Sequence, residues 1–97
     1  MLSSIFRVAL KVSGRVQGVG FRYFTLEAAE SVGGITGFVR NEYSDRGVEI
    51  YAEGSKADLE RFVSSVKEGP ALSHISDVSI DWRPIERRQY ESFTITD

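Results

Sequence analysis

Phe6-Arg7-Val8-Ala9-Leu10-Lys11-Val12-Ser13, the loop Gly14-Arg15-Val16-Gln17-Gly18-Val19-Gly20, and Phe21-Arg22-Tyr23-Phe24-Thr25-Leu26-Glu27-Ala28-Ala29-Glu30-Ser31-Val32 follow one another without a break. In the first segment Phe6, Val8, Leu10 and Val12 alternate with Arg7, Ala9, Lys11 and Ser13, the period of a strand with one buried face that stops at Gly14. In the last, Phe21, Phe24, Ala28 and Val32 recur at steps that keep them on one helical stripe, and Gly33-Gly34 stops the helix. A change from strand period to helix period across a glycine loop is the opening of a β-α unit.

The rest of the chain repeats that rhythm. A strand from about Ile35 to Asn41, a polar turn Glu42-Tyr43-Ser44-Asp45-Arg46-Gly47, and a strand in which Val48, Ile50 and Ala52 alternate with Glu49, Tyr51 and Glu53 read as a hairpin. Gly54-Ser55 offers an N-cap for a second helix carrying Leu59, Phe62, Val63 and Val66, which Gly69-Pro70 ends. Val78, Ile80 and Trp82 alternate with Ser79, Asp81 and Arg83, a loop holds Pro84, and a short strand closes at Phe93 and Ile95. Two helices with one apolar stripe each, and strands that alternate, require a sheet covered on one face. The expected fold is therefore α+β: a ferredoxin-like α/β sandwich of order β-α-β-β-α-β plus a C-terminal strand, with both helices on one face of a mixed, mainly antiparallel sheet. In its split β-α-β unit the first two strands run parallel with another between them, which brings the loop after the first strand beside Asn41 at the end of the second.

Composition narrows the chemistry. The chain has 97 residues, 41% apolar and 27% charged, with no Cys and one His, which fits one domain spanning 1–97 and supplies no thiolate or His cluster for a metal. No metal and no cofactor are expected. A net charge of −2 argues against a general nucleic-acid or membrane-surface binder. The positive charge is nonetheless concentrated: Arg7, Lys11, Arg15 and Arg22 all precede the first acidic residue, Glu27. The N-terminus lacks the apolar run of a signal peptide and no stretch reaches the length of a membrane span, so a cytoplasmic protein is expected. Size and balanced charge point to a monomer.

The glycines of the 14–22 segment permit conformations that turn successive N–H groups into one concavity, and the following helix adds free N–H donors and partial positive charge. Arg22 falls in the first helical turn, where the dipole disfavours it unless an anion sits nearby. A tight turn needed only for helix-sheet packing is the alternative on these grounds. Neither G-x-x-x-x-G-K-[ST] nor G-x-G-x-x-G fits the spacing.

Gly14-Arg15-Val16-Gln17-Gly18-Val19-Gly20-Phe21-Arg22, with Gly37-Phe38-Val39-Arg40-Asn41 further on, resembles the acylphosphatase family, and Gly69-Pro70 and the element order extend the likeness over nearly the whole chain. The resemblance implies a metal-free hydrolase that cleaves the carboxyl-phosphate anhydride of acyl phosphates to a carboxylate and inorganic phosphate. It implies Arg22 as the phosphate-binding arginine and Asn41 as the residue that orients the attacking water. The backbone of Gln17, Gly18, Val19, Gly20 and Phe21 would cradle the phosphate. An acyl phosphate has a good leaving group, so charge stabilisation and water placement suffice without a strong base. The turn at 42–47 is about one residue longer than the family's usual Asp-Gly turn, and a wider hairpin tip is expected.

Other readings are weaker. An RNA-recognition domain shares the topology, but after Arg46-Gly47 the third strand continues Val48-Glu49-Ile50 where its signature needs aromatic and small residues. Glu49 and Glu53 on the open face would also repel phosphates. A carbamoyl-phosphate-handling or regulatory domain, resembling the first module of hydrogenase-maturation carbamoyltransferases, would be followed by zinc-finger and transferase regions. The sequence ends at Asp97, so a stand-alone enzyme is expected. His74 reads as a solvated loop residue, Ser44 and Asp45 as turn residues, Glu49 and Glu53 as solvated strand positions, Trp82 as core, and Arg87-Arg88 as too short for a nucleic-acid patch.

Overall fold

The computed structural model describes residues 4–43 and 47–96. Strand β1 (Ile5–Arg15) leads through the glycine loop to α1 (Phe21–Val32), then β2 (Thr36–Asn41), β3 (Val48–Gly54), α2 (Lys56–Glu68), β4 (His74–Ile85) and β5 (Phe93–Thr96). The strands form one sheet in the order β4-β1-β3-β2-β5. Both β1 and β2 pair antiparallel with β3, so they run parallel to one another with β3 between them, while β5 joins β2 in parallel. The expected ferredoxin-like sandwich is thus the fold, and the ends of β1 and β2 share one edge.

Register explains the core. Val8, Leu10 and Val12 stand opposite Ala52, Ile50 and Val48 on β3, and all six are buried. Leu59, Phe62, Val63 and Val66 of α2 close over them as the stripe predicts. The α1 stripe is turned slightly from expectation: Phe21, Thr25 and Ala29 are buried, whereas Phe24, Ala28 and Val32 are partly covered. Thr25 is tolerated because its hydroxyl donates to the Phe21 carbonyl at 2.9 Å, satisfying the polar atom within the helix. Ser55 caps α2 by accepting from the Asp58 N–H at 3.1 Å.

Several expectations need correction. Gly14 does not end β1: the pairing with β4 shifts register between Ser13 and Gly14 and continues to Arg15, so the glycine sits at a bulge. A Cβ on Gly14 would lie 2.2 Å from the His74 carbonyl oxygen, a backbone approach that only glycine permits. His74 itself begins β4 opposite Arg15 and is exposed, a strand residue and not a loop one. Likewise β4 runs through Pro84, which an edge strand accommodates because one of its sides has no ladder partner. Trp82 lies across from Val8 but remains 36% exposed, since the edge of the sheet leaves one side of the ring uncovered.

Glu53 is the largest departure: it is fully buried, not solvated. The segment after β4 folds over this end of the open face, and the carboxylate accepts the Gln89 and Tyr90 N–H groups at 2.8 and 3.2 Å and the Thr36 hydroxyl at 3.0 Å. Arg88 donates to the Thr36 hydroxyl and to the Glu53 carbonyl. Tyr51 stacks on Phe38 with centroids 5.8 Å apart, and Tyr90 packs edgewise on Phe38. Burial, then the neighbouring Glu53 carboxylate, raise the Tyr51 phenol above the ordinary tyrosine range. Ionisation is therefore harder in the folded chain, so this contribution is complete below about pH 10 and is lost as pH rises through the raised folded value. The wild type should lose urea resistance at alkaline pH through a component that Tyr51→Phe lacks. Parallel alkaline losses in the two proteins would contradict the assignment.

Gly37 has φ 140° and a Cβ there would stand 1.9 Å from the Tyr51 carbonyl oxygen. Gly37→Ala should therefore cost about 3 kcal/mol in urea unfolding through strain and overlap with the β3 backbone. The glycine of the Gly37-Phe38-Val39-Arg40-Asn41 segment thus has a packing reason that is independent of chemistry at Asn41.

Candidate active site

The loop between β1 and α1 places both of its inner glycines in the left-handed region, Gly18 at φ 76° and Gly20 at φ 80°. An added Cβ would meet no described residue within 4 Å at either position, so glycine serves conformation there and not close packing. Gly20 is the N-cap of α1, no side chain among the described residues caps that end, and the first turn holds no acidic residue. The earliest helix N–H groups therefore have no intrahelical acceptor and, among the described residues, no side-chain acceptor, which suits them to an external anion.

Arg22 lies in the same turn, half-buried, and among the described residues no carboxylate forms an ion pair with it. The cationic cluster of the sequence otherwise disperses: Arg7 pairs with Asp81 at 2.8 Å and Lys11 with Glu42 at 3.2 Å, while Arg15 is exposed opposite His74. Of the four, Arg22 alone lines the cavity that Gly18, Gly20 and Asn41 also line.

Asn41 is the last residue of β2 and has the strand parity of Gly37 and Val39, which directs its side chain to the helix-covered side of the sheet. Its Oδ1 is buried and has no hydrogen-bond partner among the described residues. A cavity of about 290 Å³ is lined by Val16, Gly18, Gly20, Phe21, Arg22, Tyr23, Asn41 and Ile95. The structure thus brings Arg22, Asn41 and the glycine loop to one opening, as the parallel arrangement of β1 and β2 requires.

Gln17 contributes more than backbone. Its side-chain amide donates to the Glu42 carbonyl at 2.8 Å and the Gly47 carbonyl at 2.9 Å, joining the loop to the base of the β2–β3 hairpin. Nothing in local sequence spacing announces this contact. Tyr23, 63% exposed, and Ile95 also line this opening; Ile95 was not legible as a site residue, because the place of β5 beside β2 is set by the sheet and not by its own pattern. Among the described residues no group of three or more His, Cys, Asp and Glu is arranged to hold a metal. Ser44, Asp45 and the expected widening of the hairpin tip fall at 44–46, outside the described residues.

A glycine-rich strand-to-helix loop, an arginine without an ion pair and an amide oxygen without a hydrogen-bond partner among the described residues thus meet at one opening of a small α+β protein. Comparison with known proteins specifies it further. The acylphosphatase family model matches residues 8–95, and the chain belongs to the acylphosphatase family. An acylphosphatase of Archaeoglobus fulgidus is 48% identical over 84 residues, covering 87% of this chain and 90% of that one. The crystal structure of an acylphosphatase from Bacillus subtilis superposes with a TM-score of 0.87 at 37% identity, covering 95% of this chain and 99% of the other. Full-length HypF in a phosphate- and nucleotide-bound form contains a similar unit, TM-score 0.83 at 33% identity, covering all of this chain but 12% of HypF. The chain is accordingly an enzyme of acyl phosphate hydrolysis. Among the described residues no helix is long and apolar enough to cross a membrane.

Proposed function

We propose that the 290 Å³ cavity is where an acyl phosphate is hydrolysed by direct attack of water on phosphorus. The Arg22 guanidinium and the backbone N–H groups of Gln17, Gly18, Val19, Gly20 and Phe21 hold the phosphate oxygens and stabilise the charge that gathers on them. The Asn41 Oδ1 accepts a hydrogen bond from the attacking water and fixes its approach. As the new P–O bond forms, the bond between phosphorus and the carboxyl oxygen breaks, and a carboxylate leaves without needing a proton. A phosphate oxygen of the substrate takes the proton released by the water, so the reaction needs no separate base. The products are a carboxylate and inorganic phosphate.

The orphaned Asn41 Oδ1 carries this reading. A buried acceptor left without a donor costs about 1–3 kcal/mol, and a water held in the cavity removes that cost while standing beside the loop where the phosphate binds. Tyr23 and Ile95 at the rim offer apolar contact to the acyl group, which favours aryl and alkyl acyl phosphates over strongly charged ones.

Hydrolysis of an aryl acyl phosphate in oxygen-labelled water, with a chelator present, tests the reaction. Attack at phosphorus puts the label in inorganic phosphate and leaves the carboxylate unlabelled. Label in the carboxylate would mean attack at carbon and would remove Asn41 from its assigned place.

A further inference from the structure

Gln17 joins two segments that are distant in sequence. Its Nε2 donates to the Glu42 carbonyl at 2.8 Å and to the Gly47 carbonyl at 2.9 Å, and the Glu42 N–H itself donates to the Gly47 carbonyl at 2.8 Å. One amide group therefore sits across the neck of the hairpin. Both facing atoms are carbonyl oxygens, which can only accept, so the NH₂ end of the side chain must point at them. The side chain is half-buried, which shields these bonds from competition by solvent.

The position of this contact matters. Glu42 directly follows Asn41, and Asn41 is paired across the ladder with Val48, which directly follows Gly47. The two carbonyls held by Gln17 thus lie just outside the Asn41–Val48 pair, the Gly47 carbonyl in the peptide bonded to Val48 and the Glu42 carbonyl one residue beyond Asn41. Beyond them the ladder stops, since Asn41 is the last residue of β2 and Val48 the first of β3. A strand end of this kind frays unless something outside the ladder holds it. Lys11 also reaches Glu42 at 3.2 Å, but with a half-exposed, flexible ammonium that is a point charge and holds the strand end less rigidly than two hydrogen bonds from one amide.

We infer that the Gln17 side chain is a positioning residue: it fixes the distance between the phosphate cradle, to which its own backbone belongs, and the Asn41 side chain. The inference rests on the proposed roles of Asn41 and the loop. Its physical content is that phosphate and water are located by separate elements, a loop and a strand end, and that the Gln17 side chain belongs to the first and is bonded to the second. Removing it leaves the cradle's N–H groups, the left-handed glycines and Arg22 in place, so phosphate affinity should persist. What relaxes is the end of β2, and a displaced Asn41 aims the water poorly.

The test is a double-mutant cycle on the full chain using Gln17→Met, Asn41→Ala and the combination, with kcat on an aryl acyl phosphate and inhibition by inorganic phosphate as readouts. Methionine keeps the length and lacks the donors. Gln17→Met should lower kcat about ten- to hundredfold, because misplacement of a reacting group by about 1 Å has effects of that size. The inhibition constant for phosphate should stay within about twofold of wild type. In the Asn41→Ala background the same substitution should change kcat by less than about twofold, since no amide remains to be positioned.

An equal loss in both backgrounds, a kcat unaffected by Gln17→Met, or a loss appearing as weakened phosphate inhibition would each overturn the inference. A wild-type chain without hydrolytic activity would instead overturn the proposed chemistry of the site, and the two failures are separable because the wild type is measured first. Should circular dichroism show Gln17→Met unfolded, Gln17→Asn replaces it with the same expectations. Its amide is one methylene too short to span both carbonyls.

Discussion

Arg22→Ala is expected to abolish hydrolysis of an aryl acyl phosphate and to weaken inhibition by inorganic phosphate in step with it. Arg22 is half-buried, lines the cavity and forms no ion pair with a carboxylate among the described residues, so the hydrogen-bonding capacity of its guanidinium is available to an anion. Two charge-assisted bonds from a planar fork are worth about 3–6 kcal/mol, a factor of about 10² to 10⁴ in the rate constant. The backbone cradle remains in the variant, but N–H groups alone do not neutralise a phosphate in a partly desolvated cavity. Stability should move the other way. A cation in the first turn of α1 opposes the helix dipole by about 0.3–1 kcal/mol, so the variant should resist urea at least as well as wild type. Lost activity with an unchanged or higher urea midpoint would separate chemistry from folding. Retained phosphate inhibition would sink the assignment.

The fold was readable because its information is periodic. Val8, Leu10 and Val12 on one strand, and Leu59, Phe62, Val63 and Val66 on one helix, report their faces without reference to the rest of the chain, and all seven are buried. The meeting of Arg22 and Asn41 was readable for a topological reason: parallel strands with a right-handed crossover put the start of α1 and the end of β2 at the same edge. Properties that depend on what lies above a strand were not readable. Glu53 alternates like a solvated residue, yet Gln89 and Tyr90 fold onto it and turn it into a buried acceptor. Trp82 alternates like core, yet its strand is at the edge. Gln17 could be placed in the loop by sequence, but its partners are backbone carbonyls 25 and 30 residues away, and carbonyls carry no residue identity to recognise.

Asn41→Ala should leave a protein that binds phosphate and fails to turn over. If the amide acts only on the attacking water, kcat should fall by at least about a hundredfold while inhibition by phosphate stays within about twofold of wild type. The contrast with Arg22→Ala is the informative part, because a variant that had merely deformed the cavity would lose both functions together. Stability sharpens the test further. The Oδ1 of Asn41 is buried without a partner among the described residues, and an orphaned acceptor costs about 1–3 kcal/mol unless a water satisfies it. Deleting the amide removes that cost, and alanine leaves the Asn41–Val48 backbone pairing of the strand end in place. The urea midpoint should therefore hold or rise. An asparagine kept for its turn chemistry or for packing would behave oppositely, losing stability on truncation and retaining activity. A residue whose removal ends turnover but does not weaken the fold is one held in place for the reaction, and that pairing of outcomes is what the cavity geometry predicts for Asn41.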